Sequence, residues 1–120
     1  MSISNYAENA LLNTFRNTSF SVSTVYLRLH TGDAGEDGTT NLASNSSRQV
    51  VSFNAASSGS MASSATVTWT NVSTTETYTH WSAWDASVGG NCLWTGALSA
   101  SAAVTAGDTF EITSLTLTLD

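Results

Sequence analysis

Hydrophobic and polar positions alternate with a period of two along most of the chain. Val25, Leu27 and Leu29 alternate with Tyr26, Arg28 and His30, which predicts a one-sided strand with the aliphatic side chains inward and the other three outward. Residues 48–53 predict a second strand, with Gln49, Val51 and Phe53 sharing a face. Ala65, Val67 and Trp69 predict a third, leaving Thr66, Thr68 and Thr70 for the wet side. Residues 54–64 are small and polar and read as a connection. Near the end, Ala106-Gly107-Asp108 marks a turn, and Phe110, Ile112, Leu115, Leu117 and Leu119 read as a last strand. The period slips between Ile112 and Leu115, which predicts a bulge at Thr113 or Ser114.

Residues 77–98 hold three of the four tryptophans, Trp81, Trp84 and Trp94, in two strand-like runs either side of Gly89-Gly90-Asn91. That pattern predicts a hairpin. Each indole can remove about 150–250 Å² from water, a gross gain of roughly 4–6 kcal/mol per ring and an upper bound. Tyr78, His80, Ser82 and Trp84 fall on one face by alternation, and Thr79, Trp81, Ala83 and Asp85 on the other. Both faces carry an indole, so the hairpin is expected at the centre of the fold, one side against a second layer and the other under a helix, a loop or a partner subunit. Residues 99–105 read as the link from the hairpin to the final turn.

Only one segment shows helical spacing. Asn5 followed by Glu8 resembles a capping box, and Ala7, Ala10, Leu11, Thr14 and Phe15 recur on one face, predicting a short amphipathic helix from Asn5 to about Arg16. A helix of this length is marginal alone, so its Leu11/Phe15 stripe is expected to dock on the sheet or on a neighbouring subunit. Together with about six or seven short strands this predicts one all-β domain over residues 1–120, an antiparallel β-sandwich or jelly-roll-like fold with one short N-terminal helix. Residues 1–17 form the helix and arm, and residues 32–47 an acidic and polar loop.

Charge changes the choice of partners. The chain has no lysine, three arginines and nine acidic residues, a formal net charge of −6. Nucleic acid and anionic membranes are poor partners for such a chain. Charged residues are 10% of the total, far below the ~25% of ordinary soluble domains, and serine and threonine take their place. Such a surface loses little side-chain entropy when ordered against a partner, as suits a protein in permanent contact with copies of itself or a larger assembly. The N-terminus lacks the pattern of a signal peptide and no apolar run is long enough to span a membrane, so synthesis in a cytoplasm is expected. The triplets at Asn17, Asn45 and Asn71 then read as products of a serine-rich composition.

Candidate chemistry is sparse. Asp33, Glu36 and Asp37 lie among Gly32, Gly35 and Gly38, a turn-rich or mobile loop whose spacing matches no EF-hand and whose charge repels phosphate. His30, His80, Ser82, Asp85 and Cys92 are the residues from which a catalytic group would be drawn, but alternation sets Asp85 opposite His80 and Ser82, and there is no Gly-x-Ser-x-Gly elbow. Lone Cys92, beside Leu93 and Trp94, reads as buried packing. Neither an enzyme nor a metal or cofactor site is expected. Tyr26, Trp69 and Tyr78 are the candidates for stacking on a sugar.

The order of segments Asn5-Tyr-Ala-Glu-Asn-Ala-Leu-Leu, Val25-Tyr-Leu-Arg-Leu-His-Thr-Gly-Asp-Ala-Gly-Glu, Arg48-Gln-Val-Val-Ser-Phe, Trp84-Asp-Ala, Gly89-Gly-Asn-Cys-Leu-Trp-Thr-Gly-Ala-Leu, Ala106-Gly-Asp-Thr-Phe and Leu115-Thr-Leu-Thr-Leu resembles a family of small tailed-bacteriophage virion proteins. Its members are often labelled tail fibre proteins, and similar small β proteins decorate capsids. The resemblance covers nearly the whole chain and implies a structural virion protein. With no heptads and no internal repeat to make a stalk, the expectation leans to a homotrimeric capsid decoration (cement) protein that binds the major capsid protein and stabilises the head by mass action. The alternatives are a tail fibre or tail-associated host-recognition protein and, third, a carbohydrate-binding module. Leu11, Phe15, Asp33, Glu36 and Asp37 are the expected assembly contacts, the first two for their apolar stripe and the rest for their charge toward an arginine-rich surface.

Overall fold

The tryptophan-rich hairpin is the centre of the molecule. In the computed structural model, which describes residues 2–119, its arms are β6 (Glu76–Trp84) and β7 (Cys92–Val104), registered as Trp81↔Gly96 and Ala83↔Trp94. Glycine at position 96 is a packing requirement, because a Cβ there would stand 2.5 Å from Cζ2 of Trp81. The turn is closed by Asp85, whose Oδ1 accepts from the Asn91 amide at 2.8 Å and whose Oδ2 accepts from the Asn91 side chain at 3.1 Å.

Around this hairpin lie β1 (Ser2–Ile3), β2 (Val25–His30) and β3 (Gln49–Val51), giving a five-stranded sheet of order β1-β7-β6-β2-β3. Two ribbons form the opposing layer: β4 (Ser60–Ala62) with β9 (Thr116–Thr118), and β5 (Val67–Trp69) with β8 (Phe110–Ile112). All the pairings are antiparallel. Leu27, Leu29, Trp81, Ala83 and Trp94 from the sheet meet Val67, Trp69 and Ile112 from the ribbons, and Leu115 from the passage between β8 and β9, in one core. The molecule is all-β and sandwich-like, with α1 (Asn5–Thr14) packed beside β7.

The structure revises several local expectations. Residues 99–105 are no link, since β7 continues to Val104 and pairs with Glu76–Tyr78. Within residues 54–64 the short strand β4 forms, held by β9 rather than by any propensity of its own. The predicted bulge at Thr113 or Ser114 is a change of partner: β8 lies on β5, β9 on β4, and the slipped period marks the passage between ribbons. The bulges fall instead between Tyr78 and His80 and between Ala83 and Trp84 on β6. The first turns Tyr78 into the core beside Trp81, where its ring meets Phe110 edge-on at 5.2 Å. Helix α1 is capped by Ser4, not Asn5; the Ser4 hydroxyl accepts from the Ala7 amide at 3.1 Å.

The one-sided reading of β2 also changes. Leu27 and Leu29 are buried as expected, but so is His30, at 0% exposure. The acidic loop covers it, running antiparallel past the end of β2 through the His30↔Leu42 bridge. Trp81 thus faces the ribbons while Trp84 lies under the loop, which accounts for an indole on each face of β6.

Candidate functional site

Helix α1 puts fewer residues into the core than its spacing predicts. Ala7 is buried and Leu11 half-buried, whereas Phe15 at the C-cap is 90% exposed and Leu12 65% exposed. The Leu11/Phe15 stripe therefore splits. Leu11 lines an apolar cavity of about 260 Å³ together with Ala7, Phe20, Met61, Trp94 and Leu117, between the helix and the β4–β9 ribbon. Phe15 and Leu12 stand on the outer rim with Leu119, which is also exposed, around a shallow groove of about 810 Å³. Leu12 and Leu119 were missing from the sequence-based contact set. The signal was the Leu11-Leu12 pair, because adjacent helix positions point about 100° apart and a narrow contact can take one of them inward while leaving the other in water.

The acidic loop is ordered by its own carboxylates. Asp33 Oδ1 accepts from the Gly35 amide at 2.9 Å, and Asp37 Oδ1 accepts from the Thr39 amide at 3.2 Å and the Thr39 hydroxyl at 2.6 Å. The Thr39 side-chain hydrogen bond, then its amide, hold the Asp37 carboxyl below the usual carboxylate range. Asp33, Glu36 and Asp37 all face solvent, while Ala34 and Gly38 are turned under the loop. Where the loop leaves the sheet, Glu76 fixes it, accepting from the amides of Ser44 and Asn45 at 2.9 and 3.0 Å. The expected contacts thus stand on two elements: Leu11 and Phe15 on the helix beside β7, the three carboxylates on the loop over β2 and β6.

Beneath that loop runs a buried chain of hydrogen bonds. The carbonyl of Thr40 can only accept, so His30 Nδ1 donates to it, at 2.8 Å. That leaves Nε2 to accept from the Ser82 hydroxyl at 2.7 Å, and Ser82 Oγ accepts in turn from Trp84 Nε1 at 2.7 Å. Each group is satisfied only while the imidazole is neutral. Burial, the largest influence, pushes the His30 pKa down; the hydrogen bond to Thr40 opposes this, and nearby Arg28 and His80 add to it.

The sequence set Ser82 beside His80, its neighbour by alternation. The fold pairs it with His30 across the strands and leaves His80 bonded to Thr79 at 2.8 Å. Ser82 and His30 have the spacing of a nucleophile and its base, yet both are at 0% exposure. A Thr40 carbonyl takes the place of a carboxylate, and Asp85 is engaged in the hairpin turn. In this arrangement the two residues tie loop to sheet. Cys92 lies alongside, and burial raises its thiol pKa to about 11, far from a reactive thiolate.

The three sugar-stacking candidates separate in the same way. Trp69 and Tyr78 are interior, the Trp69 Nε1 donating to the Ser47 carbonyl at 3.0 Å, and Tyr26 is half-buried. Among the described residues no cluster of histidine, cysteine and carboxylate side chains has metal-site geometry, and no helix is long and apolar enough to cross a membrane.

Residues 2–120 match the family described as podophage GP4 fiber I protein gp80. The chain belongs to this family. A comparison with curated proteins gave no match. Membership in the Gp80 family makes the chain a structural component of a tailed-phage virion, with a fibre label, and agrees with the resemblance seen in the order of its segments. This Gp80-family chain thus has a two-layer body, an acidic loop over part of one sheet face, and an apolar helix rim facing outward.

Proposed function

We propose that this chain is a fibre subunit that associates with copies of itself through the rim formed by Leu12, Phe15 and Leu119. The observation that carries the reading is Phe15, a phenyl ring with 90% of its surface in water at the end of a helix, flanked by two further exposed leucines. Large apolar residues gathered in one place mark a surface that is covered in use. An isolated subunit gains nothing from them. A cyclic trimer buries three copies of the rim and keeps the acidic loops, each with Asp33, Glu36 and Asp37, available to cationic surfaces of other virion proteins. The fibre description of the family supports a tail placement.

Capsid decoration is the second reading. It is supported by the absence of heptads and repeats from these residues, since a compact unit that forms no stalk of its own is suited to sit on a shell. Neither reading requires a reaction, a cofactor, nucleic acid or a membrane.

Light scattering coupled to gel filtration tests self-association: the wild type is expected as a trimer, and the Leu12→Asp/Phe15→Asp double variant as a monomer with an unchanged far-UV CD spectrum. A monomeric wild type overturns the proposal. Gold-labelled antibody on intact virions separates the placements, with label at the tail for a fibre subunit and over the head for a decoration protein.

A further inference from the structure

Arg28 lies on the loop-side face of β2, and among the described residues nothing answers its charge. Its Nε is shut off from solvent without a hydrogen-bond partner, and burial alone pulls its pKa down, with no carboxylate acting in the other direction. That is unusual in a chain where acidic residues outnumber arginines nine to three. Arg48 stands across from it, one step past the registered pair Leu27↔Gln49, and its pKa is lowered first by burial and then by the Arg28 charge. Like charges facing each other across two strands destabilise the pair.

The two differ in what relieves them. Arg48 stacks over the Trp84 ring at 4.2 Å and donates to the carbonyls of Ala86 and Gly89 at 2.8 and 2.7 Å. Among the described residues Arg28 has neither an aromatic face nor a carbonyl to relieve it. A guanidinium carries five N–H donors in a planar fork that fits the paired oxygens of a carboxylate or phosphate. Arg28 is half-buried, so part of the group remains open to solvent.

We propose that Arg28, with Arg48 facing it, forms a binding site for an oxyanion, the carboxylate of an acidic sugar or a free phosphate, held by the Arg28 fork. The anion offsets the charge of the opposed pair and accepts from the Arg28 Nη groups, the part of the fork that is not shut off from solvent. The site lies on the sheet face that the acidic loop partly covers, where Asp33 and Asp37 are engaged in the loop's own turns and no carboxylate among the described residues acts on Arg28; it is apart from the helix rim and independent of whether the chain serves tail or head.

The test is calorimetric titration of the full-length protein at low ionic strength with inorganic phosphate, with glucuronate and with uncharged glucose. At least one of the two anions is expected to bind saturably and glucose not to bind. Arg28→Gln is expected to weaken anion binding about tenfold or more, and Arg28→Lys, which keeps the charge but loses the fork, to weaken it less. Arg16→Gln, at an exposed position just past the helix, leaves binding unchanged. Saturation by phosphate alone assigns the site to phosphate, and by glucuronate alone to acidic sugars. The proposal is overturned if neither anion saturates, if glucose binds equally well, or if Arg28→Gln and Arg28→Lys, checked for folding by CD, both bind like the wild type.

Discussion

His30 couples the stability of this protein to pH. Its folded-state pKa lies below the ordinary value of 6.5, so between that value and the depressed one the unfolded chain binds a proton that the folded chain refuses. The stabilisation from neutral His30 is complete above pH 6.5 and is lost as pH falls toward the depressed pKa. Denaturant unfolding of the wild type should therefore show a midpoint that falls as pH drops below 6.5, and His30→Gln should lack that component while being less stable at pH 8. A His30→Gln curve parallel to the wild type across this range would show that the buried chain to Ser82 and Thr40 is not what titrates. The sequence placed His30 outward because alternation knows only two faces. It carries no information on whether a later loop folds back over the second.

At the scale of elements, the acidic loop acts as a lid fixed at several points: Thr40 on His30, Glu76 on Ser44 and Asn45, and Gly38 pressed into the sheet. Gly38 sits at φ +72, and a Cβ there would lie 2.8 Å from the Cys92 sulfur and 3.0 Å from the Trp84 ring. Backbone strain and steric conflict act together, so Gly38→Ala is expected to destabilise the fold by roughly 2–4 kcal/mol. Thermal unfolding checks the magnitude, and faster amide exchange across residues 31–43 would place the damage in the loop. The C-terminal segment shows the opposite relation between pattern and structure. Its slipped period was legible, but choosing between a bulge and a change of partner required knowing that two ribbons, not one sheet, oppose the hairpin. Similarly, β4 depends on β9, which lies far along the chain.

For the whole molecule, the apolar rim on α1 and the acidic loop define the outward chemistry of a body measuring 48 × 25 × 22 Å. If the rim is buried between copies, folding and association are linked, and the unfolding temperature should rise with protein concentration. Scanning calorimetry over a hundredfold concentration range tests this. An invariant midpoint in the wild type, matching that of the Leu12→Asp/Phe15→Asp variant, would remove the thermodynamic basis for self-association. Membership in a phage fibre family gives the molecule its setting, while the rim and the opposed arginines give it surfaces that can be tested one at a time.

The periods of two and 3.6, the Gly-Gly-Asn turn and the concentration of indoles were enough to establish an all-β body, a central hairpin and a short N-terminal helix. These features are local, set by backbone geometry and by the gain from burying large rings, and local rules are written in consecutive residues. Which face His30 and Tyr78 occupy, how residues 110–119 are shared between two ribbons, and which half of the helix stripe stays in water were decided only in three dimensions. Each depends on a partner brought in from elsewhere in the chain, and a one-dimensional pattern records the need for a partner without naming it.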